Sequence, residues 1–226
     1  MTDNFNGRWN KVQRIWSIID QLRGEPGCPW DRKQMPATVQ TYLIEEAHEA
    51  AAAIRNGAVR EAAEELGDLL FMVLFVVHLY EEKEDFRLED VCDLISEKMI
   101  RRHPHVFGDV ELSTAQQVRD NWEKIKAAEK KTKDKADSGV PESLPALMRA
   151  YRMLSRLSHE QERRLDDAEH QASRFLTMSQ QLHAALVRQE SPPAELIADL
   201  LLNLVNIARL HGYRAEDLLH EALRSM

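Results

Sequence analysis

Four acidic residues form two pairs at helical spacing, and this pattern constrains the fold more than any other feature of the chain. The pairs are Glu46-x-x-Glu49 and Glu65-x-x-Asp68. Residues three apart share one face of a helix, so each pair predicts a helix, and two such faces can converge into one cluster of carboxylates. Like charges repel, and burying them unpaired is costly, so such a cluster normally holds a hard cation such as Mg²⁺. The sequence therefore predicts helices that assemble a metal site.

The composition favours a helical protein. The chain has 226 residues, 43% of them hydrophobic, with only 8 glycines and 8 prolines. Strong helix formers such as Ala, Leu, Glu, Gln and Arg are abundant, whereas β-branched residues are thinly spread. We predict an all-α fold without a sizeable sheet.

Charge and cysteine content exclude several functional classes. A formal net charge of −8 gives no basic footprint for nucleic acid. Cys28 and Cys92 lie far apart, which favours reduced thiols over a disulfide framework or a zinc site. The N-terminus lacks a secretory signal, and the longest apolar stretch, residues 69–79, is too short to span a bilayer. We expect a soluble, cytoplasmic protein with no membrane partner.

Apolar periodicity, interrupted by Gly and Pro, predicts helices along the whole chain. In the first half they cover residues 7–23, 37–55, 59–82, 88–102 and 113–130. In the second half they cover residues 144–158, 160–189, 194–211 and 215–224. The wholly apolar second part of the third helix is predicted to lie in the core.

A polar stretch divides the chain. Residues 130–141 have little to bury, so we predict a first domain at 1–131, a linker at 132–142 and a second domain at 143–226. The second domain is a worn copy of the first, because Asp68-Leu-Leu-Phe recurs as Asp199-Leu-Leu-Leu. In that alignment Leu196 replaces Glu65, so the second copy cannot assemble four carboxylates.

Two alternatives compete with a magnesium site. A solvated helix face explains most acidic runs, but here the acidic pairs adjoin Ala50 to Ala53 and Leu69, which border core-facing surfaces. Glu45-x-x-His48 matches one element of a di-iron bundle, but that fold needs two such elements. An all-oxygen set of ligands suits Mg²⁺ or Mn²⁺. Carboxylate-held Mg²⁺ is a usual means of gripping nucleotide phosphates.

A basic group is available for those phosphates. It consists of Lys98, Arg101, Arg102, Trp122 and Lys126, in which Lys98 and Arg102, and also Trp122 and Lys126, share a helix face. The indole of Trp122 is either a base-stacking surface or a core aromatic, and Lys126 is either a phosphate ligand or a solvent-facing charge.

The sequence predicts a structural role for two histidines and leaves two roles open for one tryptophan. His103 and His105 flank a proline at a helix end, where they are expected to cap and pack rather than bind a metal. Trp30 lies in the Gly/Pro loop, where it is either a hydrophobic staple for the next helix or a substrate contact.

Five motifs, in this order, resemble the MazG family of nucleoside triphosphate pyrophosphohydrolases. They are Cys28-Pro-Trp-Asp31, Glu45-Glu-x-x-Glu49, Glu65-Leu-Gly-Asp68-Leu-Leu-Phe71, Arg101-Arg-His-Pro-His-Val-Phe107 and Ser143-Leu-Pro-Ala-Leu-Met148. The resemblance implies tandem MazG-like helical domains, a four-helix core of the all-α NTP-pyrophosphatase type and a homodimer. It also implies Mg-dependent hydrolysis of NTPs or dNTPs to the monophosphate and pyrophosphate by a metal-activated water.

The resemblance also assigns roles to individual residues. Glu46, Glu49, Glu65 and Asp68 match the family's metal ligands. Glu45 and Glu64 match flanking acids that orient water. Lys98, Arg102, Trp122 and Lys126 match positions that face the phosphates or the base.

The second domain departs from the family pattern because it lacks its own acidic motifs. The first domain is then the working enzyme, or the protein is a non-catalytic nucleotide- and metal-binding regulator. A dUTPase-like or phosphoribosyl-ATP pyrophosphohydrolase-like activity is a further alternative within the same superfamily.

Overall fold

Helices make up the regular structure of this protein. A computed structural model describes residues 2–131, 140–160 and 163–226, and no β-strand occurs within these ranges. The helices are α1 (Thr2–Arg23), α2 (Pro36–Arg55), α3 (Val59–Glu81), α4 (Leu88–Arg102), α5 (Pro104–Phe107), α6 (Ala115–Lys131), α7 (Ala146–Glu160), α8 (Ala168–Val187), α9 (Ala194–Leu210) and α10 (Ala215–Arg224). Short 3-10 helices cover Asp31–Lys33 and Arg163–Leu165. The predicted all-α class is confirmed.

Two of the predicted helix starts were wrong. Helix α1 begins at Thr2 rather than Gly7. Helix α8 begins at Ala168 rather than Glu160, because the Asp167 side chain accepts a hydrogen bond of 3.0 Å from the His170 N–H and caps the helix there. The strong helix formers before Asp167 suggested a longer helix, but propensity alone is a weak guide to a boundary.

The chain divides into two compact units, Met1–Ala127 and Ala128–Met226. Residues 132–139 of the predicted linker lie outside the described residues, so the proposed domain boundaries stay a prediction. In the part of the chain that the structure describes, no helix combines the length and apolar character needed to cross a bilayer.

The core of the first unit is built from α1, α2 and α3. Five buried side chains form it: Ile19, Val39, Leu74, Phe75 and Leu79. Three of them come from the second part of α3, so the prediction that this apolar segment is core is confirmed for part of it, whereas Leu70 and Val73 are at least 40% exposed. Because the acidic first part of the same helix is mostly exposed, α3 carries both the scaffold and the candidate site.

Helices α2 and α3 pack along each other as a hairpin. A three-residue turn, 56–58, joins them, and its Gly57 has a φ of +66°. This left-handed conformation is strained for residues with a Cβ, which explains glycine there. Ala50 and Ala53 are buried, and their small side chains let the two helices approach closely. The hairpin thereby brings the two acidic pairs together.

Helices α7, α8, α9 and α10 build the second unit around a core that contains polar side chains. The Asn203 amide donates to Gln171 Oε1 at 2.7 Å, and the Gln171 amide donates to the Arg164 carbonyl at 2.7 Å. The Asn206 amide donates to the Leu165 carbonyl at 2.9 Å. These amides are buried, and their hydrogen bonds compensate much of their desolvation.

Candidate metal centre

Three of the four predicted metal ligands converge in the α2–α3 hairpin. Glu46, Glu49 and Glu65 each place one carboxylate oxygen so that these atoms lie within 4.8 Å of one another. Glu46 and Glu65 are half-buried, whereas Glu49 is exposed. The i,i+3 spacing puts Glu46 and Glu49 on one face of α2, and the hairpin turns that face toward Glu65 on α3.

Asp68 lies near this carboxylate cluster without belonging to its tightest group. It is not among the three residues whose oxygens all lie within 4.8 Å. Its charge nevertheless raises the pKa of Glu46 and of Glu65. Asp68 therefore belongs to the charged surroundings of the cluster, and its role as a fourth ligand stays a prediction.

The carboxylate cluster is electrostatically strained. Desolvation raises the pKa of Glu46 above its ordinary value of 4.5, and the charges of Asp68, Glu49 and Glu45 raise it further. Desolvation and then the charge of Glu49 are the largest causes that raise the pKa of Glu65. Within the described ranges no salt bridge joins the cluster to a basic side chain.

The donor set fits a hard divalent cation. All ligand atoms of the group are carboxylate oxygens, and Mg²⁺ and Mn²⁺ prefer such donors together with water. His48 is not a member, which argues against the di-iron alternative. A divalent cation would neutralise charges that no protein group in the described residues neutralises.

Glu45 and Glu64 lie beside the carboxylate cluster, one on each helix. Both are exposed, and their charges raise the pKa of Glu46 and Glu65, respectively. Each directly precedes a proposed ligand in sequence, so its side chain leaves the helix about 100° away from that ligand. They flank the candidate metal position rather than enclose it.

A cavity of about 180 Å³ adjoins the carboxylate cluster. Glu46 belongs to both, since it lines the cavity and contributes to the three-carboxylate group. The other lining residues are Trp30, Asp31, Val39, Tyr42, Phe71, Met72 and Phe75. The Trp30 and Tyr42 rings lie 6.1 Å apart, measured between centroids, and are tilted by 59°. An aromatic, largely apolar cavity thus lies next to a site with a high density of negative charge.

Trp30 reaches the cavity from the Gly/Pro loop. The Cys28 N–H donates to the Leu22 carbonyl at 2.7 Å, which folds this loop back onto the end of α1. A Cβ on Gly27 would overlap the Gln21 and Leu22 carbonyl oxygens, so the close approach requires glycine. The Trp30 side chain is 55% exposed. Trp30 therefore forms part of the cavity wall, and its role as a substrate contact stays a prediction.

The predicted basic group is partly assembled. The Arg102 guanidinium lies 5.3 Å and the Lys126 ammonium 4.7 Å from the Trp122 ring centroid, so the indole brings two cations together. Trp122 is half-buried. None of these residues lines the cavity, and neither do Lys98 and Arg101. The indole face is thus engaged by cations.

His103 follows the last residue of α4, and His105 lies in α5. His103 Nδ1 lies 2.7 Å from the Met99 carbonyl oxygen, within hydrogen-bonding distance in the last turn of the helix. The His103 and His105 rings are 5.7 Å apart. The capping role predicted for His103 is confirmed.

Most of the cavity has no distinctive sequence signal. Phe71, Met72 and Phe75 lie in an uninterrupted apolar run, which predicts core but does not show which of its residues border a cavity. Tyr42 lies one turn before Glu46 on α2, and this i,i+4 relation was the available signal. Arg23, which contacts the Trp30 loop, had no distinguishing sequence pattern.

The chain is similar to several known proteins. A family model described as the MazG nucleotide pyrophosphohydrolase domain matches residues 34–107. The chain is 35% identical to the nucleoside triphosphate pyrophosphohydrolase of Escherichia coli strain K12, in an alignment covering 94% of this chain and 83% of that protein. It is also 35% identical to the nucleoside triphosphate pyrophosphohydrolase/pyrophosphatase MazG of Thermotoga maritima, covering 94% of this chain and 81% of that protein. The crystal structure of a mazG-related protein from Thermotoga maritima aligns with a TM-score of 0.44 at 27% identity, covering 51% of this chain and 98% of that one.

The segment that matches the family model contains both acidic pairs and most of the cavity lining. The two relatives extend the similarity across nearly the whole chain, including the second unit. This chain therefore belongs to the MazG family of nucleoside triphosphate pyrophosphohydrolases, hydrolases that act on phosphoanhydride bonds.

Proposed function

We propose that this chain hydrolyses NTPs or dNTPs to the nucleoside monophosphate and pyrophosphate, with Mg²⁺ or Mn²⁺ held by Glu46, Glu49, Glu65 and Asp68 of the first unit. The observation that carries the proposal is the position of Glu46, which lies in the carboxylate cluster and in the wall of the aromatic cavity. One side chain thus links a cation site for phosphates to an apolar space suited to a base. We place this reaction in the cytoplasm, with neither nucleic acid nor membrane as a partner.

Different acidic residues are proposed to bind the cation and to transfer the proton. A bound divalent cation supplies charge neutralisation for the triphosphate and lowers the pKa of water. Glu45 and Glu64, beside the ligands, are proposed to orient the attacking water and accept its proton. Transfer proceeds to water directly, so no covalent enzyme intermediate is needed.

Substrate contacts are proposed on two sides of the nucleotide. Trp30 and Tyr42 provide aromatic faces for the base in the cavity. Arg102 and Lys126, gathered by Trp122, provide paired positive charges for phosphate oxygens, together with Lys98 and Arg101. These assignments follow the family resemblance and the grouping of the side chains.

We further propose a homodimer. Leu66, Leu70 and Val73 recur at i, i+4 and i+7 on α3, and each is at least 40% exposed. Such a stripe on one helix face is typical of packing against another helix. A second copy of the chain, presenting the same stripe, is the proposed partner.

A non-catalytic nucleotide- or metal-binding regulator is the second candidate, because the second unit has Leu196 in place of Glu65. It predicts nucleotide binding without turnover. The intact carboxylates of the first unit favour the enzyme, since clustered like charges destabilise the fold unless a cation compensates them.

The deciding experiment incubates the purified protein with each of the eight common NTPs and dNTPs, with Mg²⁺ or with EDTA, and identifies the products. Metal-dependent release of monophosphate and pyrophosphate is expected. Glu49→Gln should abolish turnover because it removes a ligand charge, and its far-UV circular dichroism should match the wild type because Glu49 is exposed.

The matched control is Glu61→Gln, an exposed acid in the first turn of α3, which should retain full activity. Binding of nucleotide without any product would favour the regulator. Full activity of Glu49→Gln would contradict the assigned metal ligand.

A further inference from the structure

We propose that Arg23 is a positioning residue that holds the Trp30 loop as a wall of the aromatic cavity, and that Glu82 orients Arg23 for this purpose. The inference rests on the proposed function only for its kinetic consequence. Its structural content is that one guanidinium contacts the end of α3, the backbone of the loop and the floor of the cavity.

The Arg23 guanidinium is fixed by Glu82 at the C-terminal end of α3. Arg23 Nε donates to Glu82 Oε1 at 2.7 Å, and Nη2 donates to Oε2 at 2.6 Å. This two-point pairing fixes the plane of the guanidinium as well as its distance from the Glu82 carboxylate. The Arg23 side chain is only 9% exposed, so water does not screen the pair strongly from that side.

Glu82 also lies next to His78, although no hydrogen bond joins the two side chains. His78 Nδ1 lies 3.4 Å from Glu82 Oε1, and His78 Nε2 lies 2.8 Å from Asp20 Oδ1. Asp20 is on α1 and His78 is on α3, so this contact ties the two helices together next to the Arg23–Glu82 pair. The Trp16 ring also packs on His78, with centroids 5.3 Å apart. The carboxylate that anchors Arg23 therefore lies beside a side-chain contact between α1 and α3.

The remaining guanidinium nitrogen points at the loop. Arg23 Nη1 donates to the Asp31 carbonyl and, at 3.4 Å, to the Gln34 carbonyl. These acceptors are backbone atoms of the 3-10 helix Asp31–Lys33 and the residue after it. Backbone contacts fix the path of the chain, and Trp30 directly precedes this segment. Arg23 therefore sets where the Trp30 indole emerges.

The same guanidinium lies against the cavity floor. Its central carbon is 5.7 Å from the Phe75 ring centroid, and Phe75 lines the cavity with Trp30 and Asp31. Arg23 does not line the cavity itself. It acts from behind the wall, which distinguishes a positioning residue from one that touches substrate.

Arg23→Lys tests the proposal, because a lysine keeps the charge but cannot donate to Glu82 at two points and to the loop at once. With an NTP as substrate, we expect KM to rise at least fivefold and kcat to stay within twofold of wild type. The reason is that base-binding contacts act equally in the ground state and the transition state. Glu82→Gln, which keeps one acceptor, should give a smaller rise in KM.

The matched control is Arg32→Met. Arg32 lies in the same 3-10 helix and pairs with Glu25 at 2.7 Å, but its side chain is 41% exposed and does not line the cavity. Its KM should equal that of the wild type. An equal rise in KM for Arg32→Met would overturn the specific role of Arg23.

A spectroscopic readout is independent of turnover. Acrylamide quenching of tryptophan fluorescence is measured with and without Trp30→Phe, once in the wild type and once in Arg23→Lys. The difference within each pair gives the contribution of Trp30. We expect Arg23→Lys to increase the quenching constant of Trp30, while Mn²⁺ binding measured by electron paramagnetic resonance is unchanged.

The outcomes separate the two hypotheses. If the wild type hydrolyses no nucleotide, the proposed function fails, and Trp30 quenching still tests the positioning role. If Arg23→Lys leaves Trp30 quenching unchanged, the positioning role is overturned, whatever the kinetics show. A Glu82→Gln variant with wild-type quenching and KM would remove Glu82 from the proposal.

Discussion

Glu46 contacts both the carboxylate cluster and the aromatic cavity. Its protonation state therefore affects both. One side faces the other carboxylates and the other side faces the aromatic cavity. Desolvation and the neighbouring charges favour the protonated form, so a proton and a cation compete for the same oxygen atoms. The properties of this residue therefore determine how the site responds to pH.

Mg²⁺ should stabilise the protein more at neutral pH than in acid. The raised pKa values of Glu46 and Glu65 mean that the metal-free fold retains protons at a pH where the unfolded chain has released them. Metal-free stability therefore falls as pH rises from 4.5 through the raised values, and bound Mg²⁺ offsets this loss. Thermal unfolding at pH 7.5 and 5.5, with and without Mg²⁺, should show the larger shift at pH 7.5.

Glu65→Gln should lose most of this shift, whereas the exposed Glu61→Gln should keep it. An Mg²⁺ shift of the same size in Glu65→Gln would mean that the cation binds elsewhere.

Glu82 has the opposite pH dependence. Its hydrogen bonds from Arg23 lower its pKa below the ordinary 4.5, with a further lowering from the charges of Arg23 and His78. Its stabilising effect is therefore fully present above pH 4.5 and is lost as pH falls through the lowered value. Glu82→Gln should destabilise the protein at pH 7, and urea unfolding should show a much smaller difference from wild type at pH 3.

The control is Glu25→Gln, at the exposed pair with Arg32, where the expected change is below about 0.5 kcal/mol. A constant difference between Glu82→Gln and wild type across this pH range would contradict the linkage.

At the scale of elements, two glycines in the hairpin should respond in opposite ways to the same substitution. Gly57 has a φ of +66° in the turn, whereas Gly67 lies within α3, and a Cβ at either meets nothing within 4 Å. Backbone conformation is thus the difference between them. Gly57→Ala should lower the free energy of unfolding by about 1 kcal/mol, and Gly67→Ala should raise it by about 0.5–1 kcal/mol.

Urea unfolding of the metal-free protein measures both changes. The same sign for the two variants would show that the turn does not require the left-handed conformation.

The sequence predicts the helices and the spacing of residues on them well. It predicts poorly which side chains border a cavity or meet residues far away in the chain. The i,i+3 pairs and the glycine at the turn were sufficient to predict that two helices converge at the carboxylate cluster. The cavity was not predictable in the same way, because Phe71, Met72 and Phe75 have identical apolar character whether they face the core or a space. Arg23 illustrates the same limit, since its partners are 8, 11 and 59 residues away.

At the scale of the molecule, the exposed stripe on α3 predicts the assembly. Leu70 is at its centre and is 40% exposed. Leu70→Glu should convert the proposed dimer to monomer, because it places a charge in an apolar interface at the cost of several kcal/mol. Size-exclusion chromatography with light scattering should give about half the wild-type mass.

Ile54→Glu is the matched control, since Ile54 is 59% exposed near the end of α2 and lies outside the stripe. A wild-type monomer, or a Leu70→Glu variant that remains a dimer, would contradict the proposal that the stripe on α3 forms the dimer interface.

The buried amides of the second unit occupy positions that border the cavity in the first unit. When Asp68 is aligned with Asp199, Asn203 and Asn206 fall at the positions of Met72 and Phe75, two residues that border the cavity of the first unit. In the second unit these positions are filled by side chains bonded to Gln171 and to the Leu165 carbonyl. Returning a carboxylate at Leu196 would thus add charge without opening room for a base. Among the described residues, the three-carboxylate group and the aromatic cavity both lie in the first unit, which is where the proposed nucleotide chemistry is placed.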